Sequence, residues 1–253
     1  MIYEVHRKTK NNIGDYWCNP SRYFNFDNIT SGEILHNKFP IENQAIIIGG
    51  GGLIHKKFSQ HIQMLLNKNP KVSAIWGIGH NFSKKYEYKS NQPYYPAWLE
   101  QTSLYGIRDW IDGHHDSYLP CVSCMHPAFD KTYQTKHDVI FYTHAFKSKY
   151  QFTKGDIWMK NSEQDFDKVI DFLGSGKTII TDSYHGAYWG QLLGKDVRVI
   201  SWSVKFNYMK HQPSFLTHIS QWKNSNPSKI VPEFLEESRK LNKEFYQKFL
   251  NLL

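Results

Sequence analysis

The chain has 253 residues, 40% of them hydrophobic and 16% aromatic, with a formal charge of +8 and three cysteines, which is enough for one large α/β domain or two small ones. The basic balance favours phosphates, acidic glycans or an anionic membrane face, while no dense Lys/Arg block marks a nucleic-acid binder. The absence of a run of roughly 18 apolar residues excludes a membrane-spanning helix, and the odd cysteine count excludes a simple disulfide framework.

In chain order, the opening MIYEVHRKTKNN lacks the apolar segment of a signal peptide, so a cytoplasmic protein is expected. Ile2–His6 reads as a first strand, and Asn12, Gly14 and Asp15 form a polar loop that either braces a turn or faces a ligand. Ala45–Ile48 is a buried strand running into Gly49–Gly52, with a helix expected from Leu53 to Leu66. A glycine loop there brings backbone N–H groups to a phosphate or carboxylate, or simply lets strand and helix pack closely. It is not the dinucleotide fingerprint, because Ile54 takes the third glycine's place.

Val72–Trp76 is another strand, ended by Gly77–His80, and the Tyr-rich stretch Asn81–Tyr95 reads as a surface loop or a lid over an acceptor site. Leu104–Asp109 reads as a strand end entering a helix, where Arg108 either clamps an anion in bidentate fashion or pairs with Asp109. Cys121 and Cys124, with His114, His115 and His126 nearby, raise the question of zinc. No second ligand pair stands at the usual spacing, so buried thiols and no metal are expected.

After the polar Lys131–His137 the strand pattern restarts at Val139–Tyr142, with His144 just past its end. A helix is expected over Ser162–Leu173, capped by Ser162. Gly174–Thr178 imitates the end of a P-loop, but Asp171 stands where its first glycine belongs and the helix-to-strand order is reversed.

The densest pattern is Lys177–Gly194, KTIITDSYHGAYWGQLLG. Thr178–Thr181 is a β-branched strand, Asp182-Ser183 supplies a turn and an N-cap, and helical spacing follows to a glycine stop. Ser183, Tyr184, His185 and Gly186 thereby occupy a helix N-terminus beyond a strand's carboxyl end, a place that favours anions. His185 can give a proton to a bound anionic substrate, or it only caps the helix. Val197–Ile200 is a further strand, and Lys205 follows on the same sheet edge. Pro213–Trp222 is expected to be helical, and Pro232–Leu253 is an amphipathic helix with Phe234, Leu235, Leu241, Phe245, Phe249 and Leu252 on one face.

The alternation of strands and helices, broken near residue 135, implies an α/β protein of two Rossmann-like domains facing across a cleft, residues 1–134 and 135–253. The terminal helix would pack back across both. One continuous doubly wound sheet is the alternative.

Asn12-x-Gly14-Asp15, Gly49–Gly52, Tyr105–Asp109, Thr181–Gly186 and Lys205 occur in the order and approximate spacing seen in polysaccharide pyruvyl transferases. The chain resembles that family over roughly residues 10–205. The resemblance implies a fold like that of GT-B glycosyltransferases, with acceptor bound by the N-terminal domain and donor by the C-terminal one. It implies transfer of pyruvate from phosphoenolpyruvate onto a sugar hydroxyl pair of a bacterial surface glycan or its polyprenyl-linked precursor, with no further cofactor. His185 matches the family's general acid, and Arg108 and Lys205 match cations of the donor pocket. Asn12, Gly14, Asp15, Gly50, Gly51, Gly52, Ser183, Tyr184 and Gly186 are the accompanying substrate-binding candidates. One position departs: many members carry arginine where this chain has Ser183. A GT-B-type glycosyltransferase using a nucleotide sugar is therefore the alternative. A lipid-linked acceptor would bring the enzyme to the inner face of the cytoplasmic membrane, where its positive charge would help.

Overall fold

Runs such as Ile46-Ile47-Ile48, with no apolar–polar alternation, suit strands covered on both faces. In the computed structural model, which describes residues 1–36, 38–82 and 95–253, these three side chains are fully buried. Among the described residues, ten strands form two five-stranded sheets. The first holds β1 (Ile2–His6), β2 (Ile29–Glu33), β3 (Ala45–Ile54), β4 (Val72–His80) and β5 (Leu104–Ile107) in the order β2-β1-β3-β4-β5. The second holds β6 (His137–Thr143), β7 (Trp158–Lys160), β8 (Gly176–Thr181), β9 (Asp196–Ile200) and β10 (Ser214–Leu216) in the order β10-β9-β8-β6-β7. All the pairings are parallel. Read within its own unit, each sheet has the doubly wound order 2-1-3-4-5. The direction of winding therefore reverses between β1 and β3 in one sheet and between β6 and β8 in the other. Open α/β sheets bind ligands beyond the carboxyl ends of strands at such a reversal.

Among the described residues five α-helices accompany the sheets: α1 (Ile13–Tyr16), α2 (Lys56–Leu66), α3 (Phe166–Ser175), α4 (Tyr184–Leu192) and α5 (Phe234–Leu250). Contacts group the chain into two units. One comprises Met1–Lys8, Asp15–Ser123 and Ser238–Leu253; the other comprises Thr9–Gly14 and Cys124–Glu237. A single division at 134/135 does not describe this. Residues 124–134 belong with the second sheet, the Thr9–Gly14 segment joins them, and α5 is divided at Glu237/Ser238.

In the first unit Val5, Ile46, Ile48, Ile75 and Ile78 meet Ile62 and Leu65 of α2. Trp76 is fully buried, with ring centroids of Phe24, Phe26 and Phe245 at 5.5, 6.3 and 4.7 Å. Its Nε1–H donates to Asn242 Oδ1 at 2.8 Å, and Asn242 Nδ2 donates to the carbonyls of Pro120 and Ser238 at 3.2 and 3.0 Å. Asn242→Ala is expected to destabilise this unit by about 2–4 kcal/mol, because it strips partners from buried donors and acceptors. The midpoint of denaturant unfolding measures it, and a loss near zero would mean that water fills the gap.

In the second unit α4 lies close against its sheet. A Cβ at Gly186 would stand 2.4 Å from Tyr142 Cδ1 and 2.5 Å from Thr181 Oγ1; one at Gly190 would stand 2.8 Å from Ile179 and Val197. The two glycines are one helical turn apart and form the face on which the helix rests.

Several expected elements differ. Gly49–Gly52 is not a loop: β3 continues through it, paired to β4 at Gly49↔Trp76 and Gly51↔Ile78. Gly77–His80 likewise continues β4. No helix follows Asp109, where only a 3-10 turn at His115–Ser117 forms. Asp165, not Ser162, caps α3, because its side chain accepts from the Lys168 N–H at 3.1 Å. Pro213–Trp222 contains β10 and the start of a 3-10 turn, Ile219–Asn224. Leu252 lies beyond α5 and is 41% exposed. Most of the stretch read as a lid, residues 83–94, lies outside the described residues. No described helix is long and apolar enough to cross a membrane.

Candidate functional site

The carboxyl ends of β6 and β8 gather buried polar residues of the second unit, among them Thr143, Thr181, Asp182, Ser183 and His185. Thr181 closes β8, its hydroxyl donating to Tyr142 O at 2.6 Å and accepting the Ser183 N–H at 3.0 Å. That turn sets Ser183 as the N-cap of α4, its Oγ accepting the Gly186 N–H at 3.4 Å. Tyr184 and His185 are the first two helical residues and are 6% and 5% exposed. The His185 ring lies 5.0 Å from that of Trp189 and 5.5 Å from that of Tyr184.

Against this ring lies the backbone of Gly14. A Cβ there would stand 1.9 Å from His185 Nδ1 and 2.4 Å from Cγ. Only glycine leaves room for the imidazole, and the Nε2 edge is the one turned away from Gly14. Asn161, 1% exposed, holds the Asn12–Gly14 segment in place. Its carbonyl accepts the Ile13 N–H at 3.0 Å, its Nδ2 donates to Asn12 Oδ1 at 3.2 Å, and its Oδ1 accepts the Ala145 N–H at 2.8 Å.

Beside this lies a charged group. Asp182, 2% exposed, accepts the His144 N–H at 2.6 Å through Oδ1. Burial pushes its carboxyl up to about 6, and bonds from His144, Ser148 and its own backbone together with the Lys205 charge hold it from rising further. Burial, reinforced by Lys205 and Lys147, lowers His144 to about 4. The His144 ring is therefore neutral at pH 7. Its Nδ1 accepts the Phe146 N–H at 3.2 Å, which assigns the ring proton to Nε2. Lys205 sits in the 3-10 turn Val204–Phe206, capped by Ser203, and is 7% exposed.

Arg108 belongs to the first unit. It follows β5, is 3% exposed, and its N–H donates to Ile78 O at 2.9 Å. Its neighbour Asp109 takes both the backbone N–H and Nδ1 of His80 on one oxygen, each at 2.6 Å. Gly79 is bare because a Cβ would stand 2.6 Å from Asp109 Oδ1 and 2.7 Å from Arg108 Nε. Within this unit a Cβ at Gly50 would collide with Cys18, at 2.6 Å, and one at Gly52 with Asn81, at 2.6 Å. Gly51 has φ +90° and would place a Cβ 3.3 Å from Asp15 Oδ1. Chain segments thus occupy the space that the glycines leave. Cys18, Cys121 and Cys124 are fully buried and are not joined in disulfides. Burial raises Cys18 and Cys121, so neither is a reactive thiolate. Among the described residues no group of three or more His, Cys, Asp or Glu side chains could hold a metal ion.

Asn12, Gly14, Ser183, Tyr184, His185, Gly186 and Lys205 therefore belong to the second unit, whereas Asp15, Gly50–Gly52 and Arg108 belong to the first. Sequence reasoning did not single out Asn161, Trp202, Lys147 or the His80–Asp109 pair. Asn161 directly follows the three-residue β7, too short to leave a periodic signal.

No family model and no curated protein matches the chain. Among solved structures, it is similar to an uncharacterised protein of Klebsiella pneumoniae at 15% identity, covering 85% of this chain and 93% of that one, with a TM-score of 0.48.

Proposed function

We propose that the protein is a polysaccharide pyruvyl transferase, moving pyruvate from phosphoenolpyruvate onto two hydroxyls of a surface glycan or its polyprenyl-linked precursor. The observation that carries this reading is the fit of Gly14 under His185. Two of the separate motifs behind the resemblance meet as backbone and ring, at a helix N-terminus beyond a sheet's winding reversal. Two parallel sheets of the same order are also what a GT-B-like enzyme needs. Their disposition about a cleft, and Arg108 acting on the donor, are parts of the proposal.

In this reading His185 gives its proton to the methylene carbon of phosphoenolpyruvate. The adjacent carbon becomes oxocarbenium-like and is attacked by an acceptor hydroxyl oxygen, whose proton restores His185. The carbon–oxygen bond to phosphate then breaks with its electron pair on phosphate, the second hydroxyl oxygen bonds to the same carbon to close the ketal, and its proton leaves with the phosphate. Burial of His185 keeps bulk water from the transferred proton, and Lys205 offsets the donor's negative charge where its field is least screened. His185→Ala is expected to cut transfer by about 10²–10⁴-fold, measured as phosphate release coupled to ketal formation. Full activity in that variant would remove the assigned role.

A second reading rests on Ser183. It is buried and engaged as the N-cap, and brings no positive charge to the α4 terminus. A nucleotide sugar's diphosphate also suits such a terminus. Thermal protection by nucleotide sugars, with none by phosphoenolpyruvate, would favour a glycosyltransferase.

A further inference from the structure

The indole of Trp202 is a shared wall for three nitrogen-bearing groups from two loops of the second unit, those after β6 and after β9. Its Nε1–H donates to the Asp182 carbonyl at 2.8 Å, which pins the ring at the carboxyl end of β8. Lys205 Nζ lies 4.1 Å from the ring centroid and Lys147 Nζ 5.7 Å. His144 meets the ring edge-on at 5.6 Å, with an interplanar angle of 90°. Lys205 is a near neighbour of Trp202 in the turn after β9, whereas Lys147 and His144 come from the loop after β6, so the fold is what brings those two to the ring.

Two ammonium groups are held about the face of one ring, with the Asp182 carboxyl within reach of the Lys205 charge, and an anion between the two would be attracted by both. The neutral His144 adds no third charge, and its Nε2–H is a donor. The ensemble stands at the β6/β8 reversal, where a parallel sheet offers a ligand site. Lys147 is exposed, Trp202 half-buried and Lys205 buried. The place is therefore open on one side and dry on the other.

We propose that Lys147, Lys205 and Trp202 form an anion site that holds the phosphate or carboxylate end of a small phosphorylated donor. It deepens the function proposed above and rests on it only for the identity of that donor. Lys147 supplies there the charge that Ser183 does not.

The test titrates the wild type, Lys147→Ala and Trp202→Phe with phosphoenolpyruvate, inorganic phosphate and a nucleotide sugar, by tryptophan emission and calorimetry. Phosphoenolpyruvate and phosphate are expected to quench emission in the wild type, and the quench is lost in Trp202→Phe. Lys147→Ala, an exposed position whose loss leaves the melting temperature unchanged, is expected to weaken both about tenfold, or about 1.4 kcal/mol. Rising salt is expected to weaken wild-type binding more than that of the variant. If Lys147→Ala binds every probe as tightly as the wild type does, or no probe binds, the site is overturned. Phosphoenolpyruvate binding at full strength in Lys147→Ala would sink the site and spare the pyruvyl donor. Nucleotide-sugar binding that needs Lys147, with phosphoenolpyruvate no tighter than phosphate, would keep the site and sink that donor.

Discussion

Gly14→Ala is expected to lower transfer at least 100-fold while leaving every titratable residue in place. The added methyl would stand 1.9 Å from His185 Nδ1, well inside van der Waals contact. The ring has little room to retreat, since it is 5% exposed with the Trp189 and Tyr184 rings 5.0 and 5.5 Å away. Either the imidazole turns or the Asn12–Gly14 segment lifts from Asn161. A displacement of about 1 Å at a proton donor is enough for a loss of order 10²-fold. Overpacking of this kind also costs about 1–3 kcal/mol of stability. The decisive measurement is a double-mutant cycle. His185→Ala removes the ring that the methyl strikes, so adding Gly14→Ala to it should cost far less than in the wild type. If Gly14→Ala is equally destabilising in both backgrounds, the strain lies elsewhere and the contact does not position His185.

The second large effect is on acid stability, through His6. This residue ends β1 in the first unit and is 1% exposed. Burial, with the Lys8 and Arg22 charges, lowers it from 6.5 to about 3. Glu4 lies 3.9 Å from its Nδ1, too far for a hydrogen bond. The Glu4 carboxylate is already engaged by Asn19 Nδ2 at 3.0 Å, Ser21 N–H at 2.9 Å and Ser21 Oγ at 2.6 Å. Glu4 therefore does not rescue the imidazolium. The sign follows directly. Below pH 6.5 the unfolded chain binds a proton at His6 that the folded chain refuses until about pH 3, so stability falls with pH across that window. The full loss is on the order of 4–5 kcal/mol. His144, lowered to about 4, adds a loss of the same sign, whereas Asp182, raised to about 6, opposes it between its unfolded and folded values. Comparing the wild type with His6→Leu isolates the His6 part. Between pH 7 and 4.5 the wild type should lose about 2–3 kcal/mol relative to the variant. Parallel denaturation curves at the two pH values would show that His6 takes up its proton without penalty.

Elements whose cause is local were legible in the sequence. All of β1, the starts of β3 and β4, the middle of β6 and the ends of β8 and β9 are rich in β-branched or aromatic residues, and burial on both faces is written into such runs directly. The Ser183 cap and Gly194, with φ +66° just after the Leu193 C-cap, were legible for the same reason. Phe166, Val169, Ile170 and Leu173 kept their inward face although the start of α3 was misplaced, because helical spacing survives an error at the end. The edge strands β2, β7 and β10 were missed. ITSGE, WMK and SFL are short and only partly buried, and what makes them strands is the neighbour that they pair with.

At the candidate site, the sequence by itself determined the residue types and the local frame: a histidine two residues after a cap, a lysine after the next strand, and a glycine in a polar loop. The tertiary structure decided which of these meet. It put Gly14 under the imidazole, tied that segment to Asn161, brought Lys147 to Trp202, and left Arg108 and Gly50–Gly52 in the other unit. It also turned the glycine run from a presumed loop into strand, because Cys18 and Asn81 occupy the space where side chains would be. The physical reason is one of range. Periodicity and capping are set by neighbours within a few residues, whereas a close approach between backbone and ring depends on segments far apart in the sequence, such as Gly14 and His185.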